Sequence, residues 1–205
     1  MPSAASNAIR DDHFGRIGPN AVTRVAEALW AVEGAQWVDR IFRAADLERY
    51  LSNSPSQMID EGEVTRLHRA LRETLGDDRA RTVGWIAGQR TADYLLRHRI
   101  PHAAQIAIRA LPAGLGSRLL TAAIARNAWT FVGTGAFASK HGCPTAFRIT
   151  NCPICRGQKS TTPCCNFYAA TFERLFARLV HASARVTETS CLAMGASHCT
   201  FAVTW

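Results

Sequence analysis

The chain has 205 residues, of which 47% are hydrophobic and 20% charged, and its formal net charge is +8. This composition is typical of a globular domain and excludes a disordered chain, a collagen-like fibre and a coiled-coil rod. No apolar run approaches the ~20 residues that a membrane-spanning helix needs, and no dense cluster of basic residues predicts a nucleic-acid partner.

The first 130 residues have the apolar spacing of helices. We expect residues 1–17 to form a flexible arm and residues 18–205 a single domain. The predicted helices span 19–33, with Asn20 able to cap, and then 41–51, 63–75, 77–98, 102–110 and 114–129. Gly84 and Gly88 share one face of the fourth helix, which favours close packing of another helix, or of a flat ligand.

Beyond residue 130, β-forming residues and glycines become frequent. Residues 130–139 and 144–150 predict two strands joined around 140–143. Thr162 is a predicted N-cap of an amphipathic helix, with Pro163 at its first position. The runs 184–191 and 198–205 predict a closing hairpin. The predicted fold class is therefore α+β, with a helical N-terminal half and helices packed on an antiparallel sheet.

All seven cysteines follow residue 140. An odd number in a chain without an export signal argues against a disulfide framework and favours a metal site or reactive thiols. If the closing turn centres on Gly195, Cys191 and Cys199 are directly paired and could share one ion. Cys164 or Cys165 could add a third sulfur, because a helix N-terminus lowers the pKa of a thiol.

Spacing alone does not add a carboxylate to this site. Glu188 precedes Cys191 by three residues, and an odd offset places it on the other face of a regular strand, so only a bulge or twist would bring it in. Alternatively, the Cys-x-x-Cys pair of Cys152 and Cys155 could bind zinc in one loop with the two cysteines at 164 and 165. A third alternative is that the thiols are small buried hydrophobic side chains.

The pattern Glu-x-x-Cys, then Gly, then Cys-Thr-Phe over residues 188–201 resembles the signature of the 4-vinyl reductase domain family, as does a cysteine at the start of the preceding helix. The resemblance covers residues 80–205. It implies an α+β fold similar to small vesicle-tethering subunits. In the related phenol-responsive sensor domains the matching residues hold zinc, which implies a structural zinc ion at Cys165, Glu188, Cys191 and Cys199.

Within this family the chain is most similar to small members that act in bacteriochlorophyll biosynthesis. The resemblance implies a protein that binds a magnesium tetrapyrrole intermediate, of the protochlorophyllide or chlorophyllide type, and assists 8-vinyl reduction or delivers substrate to the biosynthetic enzymes. The alternatives are the 8-vinyl reductase itself and a small-ligand sensing or assembly module. A reductase needs a hydride donor, but residues 133–139 lack the third glycine of a dinucleotide fingerprint. A sensor needs an output domain, for which we expect no room.

A flat pigment with a propionate group needs apolar walls and arginines at the mouth of a cavity. The candidate walls and anchors are Trp85, Trp129, Phe131, Phe137, Phe167, Arg90, Arg126 and Arg148. Either His141 or His181 could be an axial ligand of the magnesium. We expect a cytoplasmic protein that could lie at the surface of the photosynthetic membrane, and we leave a homodimer open.

Overall fold

The computed structural model describes residues 15–142 and 144–205. The helices in these residues are Asn20–Glu33 (α1), Ala35–Ala44 (α2), Arg49–Ser52 (α3), Glu61–Leu75 (α4), Asp77–His98 (α5), His102–Ala110 (α6), Ala113–Arg126 (α7), Trp129–Val132 (α8) and Asn166–Leu179 (α9). The strands are Arg16–Ile17 (β1), Ile59–Asp60 (β2), Phe137–Lys140 (β3), Thr145–Ile149 (β4), Arg185–Ser190 (β5) and Cys199–Thr204 (β6).

The strands form a two-stranded sheet, β1-β2, and a four-stranded sheet in the order β3-β4-β6-β5. Every strand pair in the described residues is antiparallel. The α+β class and the closing hairpin of β5 and β6 are therefore confirmed. None of the described helices combines the length and the apolarity that crossing a bilayer requires.

The N-terminal helices depart from the predicted bounds in two places. The N-cap of α1 is Pro19, and Asn20 instead accepts a hydrogen bond from Arg24 at 3.3 Å. The single predicted helix over 41–51 is wrong, because this region contains the end of α2 and most of α3. Gly34 adopts a φ of 94°, a conformation that glycine allows, so that the chain turns from α1 into α2 without a loop.

Two predictions around the sheet are also wrong. Residues 129–132 form the short helix α8, and the strand predicted over 130–139 begins only at Phe137. Thr162 does not cap α9, whose N-cap is Cys165. The backbone of Thr162 is instead bonded to Ser160, whose hydroxyl donates to the Thr162 carbonyl at 2.7 Å and accepts from its N–H at 3.2 Å.

Helix α9 lies between α5 and the four-stranded sheet. Gly88 makes the first contact so close that a Cβ there would lie 2.3 Å from the carbonyl oxygen of Phe167, which is helix packing as predicted. Toward the sheet, α9 meets a group of rings with neighbouring centroids 5.0–6.3 Å apart. This aromatic layer consists of Phe131, Phe137, Phe147, Tyr168, Phe172, Phe176 and Phe201.

The start of the described chain is part of this fold. Strand β1 pairs with β2, placing Arg16 opposite Asp60 and Ile17 opposite Ile59. Ile17 is only 1% exposed and belongs to the hydrophobic core. Most of the arm predicted over 1–17 lies outside the described residues, and its last two residues form this strand.

Candidate metal centre

Six cysteines from separate parts of the chain meet in one buried group, which we call the thiol cluster: Cys152, Cys155, Cys164, Cys165, Cys191 and Cys199. Two come from the loop after β4, two precede α9, and two lie on either side of the turn between β5 and β6. All six are free thiols, and Cys164 is the most exposed of them, at 9%. The seventh cysteine, Cys143, lies outside the described residues.

The closing hairpin brings two of these thiols together as its spacing predicts. Ser190 of β5 pairs with Thr200 of β6, so Cys191 and Cys199 follow as opposing residues toward the turn. The turn is a 3-10 helix, Leu192–Met194, and Gly195 ends it with a φ of 89°. The N–H of Leu192 donates to the sulfur of Cys199 at 3.4 Å.

A bulge in β5 brings a carboxylate to the same side. Glu188 pairs with Phe201 but Ser190 with Thr200, so one extra residue is accommodated between them. This extra residue offsets the odd spacing from Glu188 to Cys191, and both side chains are buried. One oxygen of Glu188, Oε2, accepts the N–H of Cys165 at 2.7 Å, while Oε1 is buried without a hydrogen-bond partner in the described residues.

The sulfur–sulfur distances in the thiol cluster are those of metal ligands. They are 3.4 Å for Cys155–Cys199, 3.6 Å for both Cys152–Cys165 and Cys165–Cys199, 3.7 Å for Cys164–Cys191 and 4.0 Å for Cys165–Cys191. A tetrahedral zinc ion with Zn–S bonds of about 2.3 Å separates its sulfurs by about 3.8 Å. The buried cluster could therefore hold a metal ion.

Three sets of four residues have ligand atoms within 4.8 Å of one another. They are Cys165, Glu188, Cys191 and Cys199; Cys152, Cys155, Cys165 and Cys199; and Cys155, Cys164, Cys165 and Cys191. The first is the set that the family resemblance implies. Loop and hairpin sites, which the sequence presents as alternatives, occupy one cluster, and Cys165 belongs to every set.

Without an ion, the electrostatics of this cluster are unfavourable for negative charge. Burial raises the pKa of Glu188 to about 9, and the adjacent Cys191 contributes to this rise. Hydrogen bonds from the thiols of Cys155 and Cys164 hold the pKa of Cys191 far below its usual range. Because these groups are buried acceptors that crowd one another, a divalent cation between them would stabilise their charged forms.

The loop that carries the Cys-x-x-Cys pair is fastened to the helical half. Arg72 of α4 donates to the carbonyl of Ile154 at 2.9 Å and to the side chain of Gln158 at 2.7 Å. The hydroxyl of Thr65, also on α4, donates to the carbonyl of Pro153 at 2.8 Å. Sequence periodicity gives no signal for these long-range contacts, which fix where Cys152 and Cys155 lie.

The structure does not gather the predicted pigment residues around one cavity. Phe131 and Phe137 belong to the aromatic layer, and Phe167 packs edge-on against His68 with ring centroids 5.8 Å apart. The other predicted residues lie on separate elements: Trp85 is half-buried on α5, Arg90 is 3.8 Å from Glu27, and Arg126, Arg148, His141 and His181 are exposed.

One exposed apolar surface does include two of the predicted residues. Leu115 and Leu119 of α7 are 50% and 47% exposed. Arg126 follows Leu119 by seven residues, two helical turns, and so lies on the same face of α7. Trp129, just beyond, is 38% exposed. We call these four residues the α7 surface, on which apolar side chains end at an arginine and an indole.

Comparison with known proteins places the chain among relatives of closely similar length. Residues 145–204 match the model of the 4-vinyl reductase domain family. The chain is 45% identical over 186 residues to the bacteriochlorophyll synthase 23 kDa chain of Cereibacter sphaeroides, covering 91% of this chain and 89% of that protein. The same-named protein of Rhodobacter capsulatus is 40% identical over 199 residues, covering 97% and 91%.

A solved structure extends the similarity to the fold of nearly the whole chain. A single-residue mutant of an H-NOX protein from K. algicida, in the Fe(II) unliganded state, superposes with a TM-score of 0.60. The match covers 92% of this chain and 96% of that one at 12% identity. At this identity the comparison supports the α+β fold alone.

Proposed function

The chain belongs to the family of bacteriochlorophyll synthase 23 kDa chains and acts in bacteriochlorophyll biosynthesis, and on this premise we propose that it binds a magnesium tetrapyrrole intermediate of the protochlorophyllide or chlorophyllide type. In this role it assists 8-vinyl reduction by delivering the pigment to the biosynthetic enzymes. The observation that carries the proposal is the 45% identity across 91% of the chain.

The second candidate function is the 8-vinyl reductase itself, which the match to the 4-vinyl reductase domain favours. Such an enzyme must obtain a hydride from a donor such as a nicotinamide or flavin cofactor. The Gly-x-Gly segment at residues 133–139 runs from the end of α8 into β3, whose sheet neighbour β4 is antiparallel. This is not the parallel βαβ unit of dinucleotide binding, so this candidate requires a donor held elsewhere.

The proposed pigment site is the α7 surface. A tetrapyrrole offers a wide apolar face, which Leu115 and Leu119 would cover, and a propionate, which Arg126 would bind. The indole of Trp129 adds an aromatic face at the same end. The packed aromatic layer supports this choice over an internal site, because Phe131 and Phe167 would have to leave their present ring contacts to admit a macrocycle.

The proposed zinc site is the set that the resemblance implies, Cys165, Glu188, Cys191 and Cys199. Its support is the donor chemistry, three sulfurs and a carboxylate within 4.8 Å, together with the unpartnered Oε1 of Glu188. Four protein ligands make a closed site, so the zinc ion would be structural. It would hold the first turn of α9 against the closing hairpin.

The proposed function is tested by titrating the purified protein with divinyl and monovinyl protochlorophyllide. We expect a shifted absorption band on binding, and no conversion of vinyl to ethyl when a nicotinamide cofactor is supplied. The double variant Leu115→Ser/Leu119→Ser should weaken binding by about tenfold or more, a loss of about 1.4 kcal/mol. Leu51→Ser, at another exposed leucine (38%), is the matched control.

Each outcome separates the candidates. Conversion with only a nicotinamide added would support the reductase and reject the delivery role. Unchanged binding by the double variant would reject the α7 surface as the pigment site, and a change in oligomeric state instead would identify it as a contact between two copies. Absence of pigment binding by the unsubstituted chain would reject the proposed function.

A further inference from the structure

The proposed zinc site leaves the Cys-x-x-Cys pair unused, although both sulfurs lie in the thiol cluster. Cys152 and Cys155 form a four-sulfur group with Cys165 and Cys199, in which all Sγ atoms lie within 4.8 Å and all four residues are 0% exposed. We propose that this group binds a second divalent metal ion of the zinc type. The proposal rests on the first zinc site, whose Cys165 and Cys199 it shares.

The geometry of this group fits a single ion. Its three measured sulfur–sulfur distances, 3.4, 3.6 and 3.6 Å, lie close to the edge of about 3.8 Å of a tetrahedral zinc–thiolate site. An iron–sulfur cluster distributes its cysteine ligands over several iron atoms. Four sulfurs that are all within 4.8 Å of one another instead surround one ion.

The backbone around the Cys-x-x-Cys pair is arranged as a ligand turn. The N–H groups of Cys155 and Arg156 both donate to the carbonyl of Cys152, at 3.3 and 2.9 Å, which closes a tight turn. The N–H of Ile154 donates to the sulfur of Cys152, as that of Leu192 does to Cys199. Hydrogen bonds of this kind orient metal ligands and stabilise thiolates.

Two ions with two shared sulfurs form one bridged centre. Cys165 and Cys199 would each bind both ions, Glu188 and Cys191 only the first, and the Cys-x-x-Cys pair only the second. The centre uses every member of the thiol cluster except Cys164, its most exposed member. Two divalent cations offset four of the six negative charges of five thiolates and a carboxylate, which one cation would leave largely unpaired.

The second ion would extend the reach of the first. The first ion joins α9 to the closing hairpin, whereas the second adds the loop after β4. That loop is itself tied to α4 through Arg72 and Thr65. The bridged centre would therefore connect the helical N-terminal half to the sheet through three chain segments.

The test is a count of bound zinc by elemental analysis and native mass spectrometry on the purified chain. We expect about two zinc ions per unsubstituted chain, and about one in Cys152→Ser, because only the second site loses a ligand. Cys164→Ser is the matched control, a change to a cysteine of the same cluster outside both sites, and should keep about two ions.

Replacement of zinc by cobalt gives a measurement that needs no variant. Two cobalt ions bridged by thiolates couple their electron spins, so the paramagnetic resonance intensity should fall below that of separate ions. One zinc ion or none in the unsubstituted chain, uncoupled cobalt, or an unchanged count in Cys152→Ser overturns the proposal. Loss of an ion in Cys164→Ser overturns it too. Pigment titration is read separately, so a one-zinc chain that binds pigment rejects only the second ion.

Discussion

At Gly88 the backbones of α5 and α9 come into direct contact. A Cβ at this position would lie 2.3 Å from the carbonyl oxygen of Phe167 and 2.8 Å from the Cβ of Ala170. At Gly84, one turn earlier, the nearest atoms to such a Cβ are 3.7 Å away, which is ordinary contact. The two glycines therefore have different roles, although the sequence presents them as a pair.

Replacing each glycine by alanine should separate these roles. Gly88→Ala should lower the free energy of unfolding by about 1–3 kcal/mol, because the added methyl group forces α5 and α9 apart. Gly84→Ala should raise it by up to about 1 kcal/mol, since alanine restricts the unfolded chain and nothing obstructs its side chain. Urea denaturation of both variants measures the difference, and equal effects would contradict the close contact.

Helix α4 controls the position of the cysteine loop through one side chain. The guanidinium of Arg72 reaches the carbonyls of Ile154 and Cys164, at 2.9 and 3.5 Å, and the side-chain oxygen of Gln158. It thus contacts the residue inside the Cys-x-x-Cys pair and the residue that precedes Cys165. The loop and the start of α9 are held in one place by a helix far away in sequence.

Removal of this guanidinium should weaken both the fold and metal retention. Arg72→Met keeps the aliphatic stem but leaves carbonyl acceptors without their charged donor, so the free energy of unfolding should fall by about 1.5–3 kcal/mol. Zinc transfer to a chelator should become faster. Arg69→Met, on the same helix, is the control, because the Arg69 side chain is half exposed and its ion pair with Glu73 is 4.0 Å long; its effect should stay within about 0.5 kcal/mol. Similar losses in both variants would contradict this assignment.

These elements also show what sequence patterns can predict. Helices such as α5 and α6, and the pairing of β5 with β6, follow from periodicity and turn residues, which act over a few positions. The bulge that brings Glu188 to Cys191 is a one-residue irregularity without a local signal, and only the family resemblance supplied that carboxylate. The meeting of the loop and hairpin cysteines depends on Arg72 and on α9, contacts that no local pattern encodes.

At the scale of the whole molecule, one buried histidine joins three helices. His68 of α4 is 2% exposed, packs edge-on against Phe167 of α9 and donates to the backbone carbonyl of Ala21 in α1. Its other ring nitrogen, Nε2, has no partner among the described residues. Because a charged imidazole would be poorly solvated there, burial lowers the pKa of His68 to about 3, and the nearby Arg72 contributes to this fall.

This depressed pKa makes the stability of the whole fold depend on pH. The unfolded chain protonates the imidazole below about pH 6.5, while the folded chain stays neutral until about pH 3. The stabilisation is therefore fully present above pH 6.5 and is lost as the pH falls toward the folded-state value. Over this interval His68 alone should lower the free energy of unfolding by up to about 1.4 kcal/mol per pH unit.

His68→Gln should remove that dependence, because glutamine can still donate to the carbonyl of Ala21 but does not titrate. Unfolding by urea at a series of pH values between 6.5 and 5 should give a shallower slope for this variant than for the unsubstituted chain. Acid loss of bound metal acts on both proteins alike, so the difference in slope isolates the histidine. His181→Gln, at an exposed histidine, should leave the slope unchanged. Parallel slopes for the unsubstituted chain and His68→Gln would mean that the imidazole accepts a proton inside the fold.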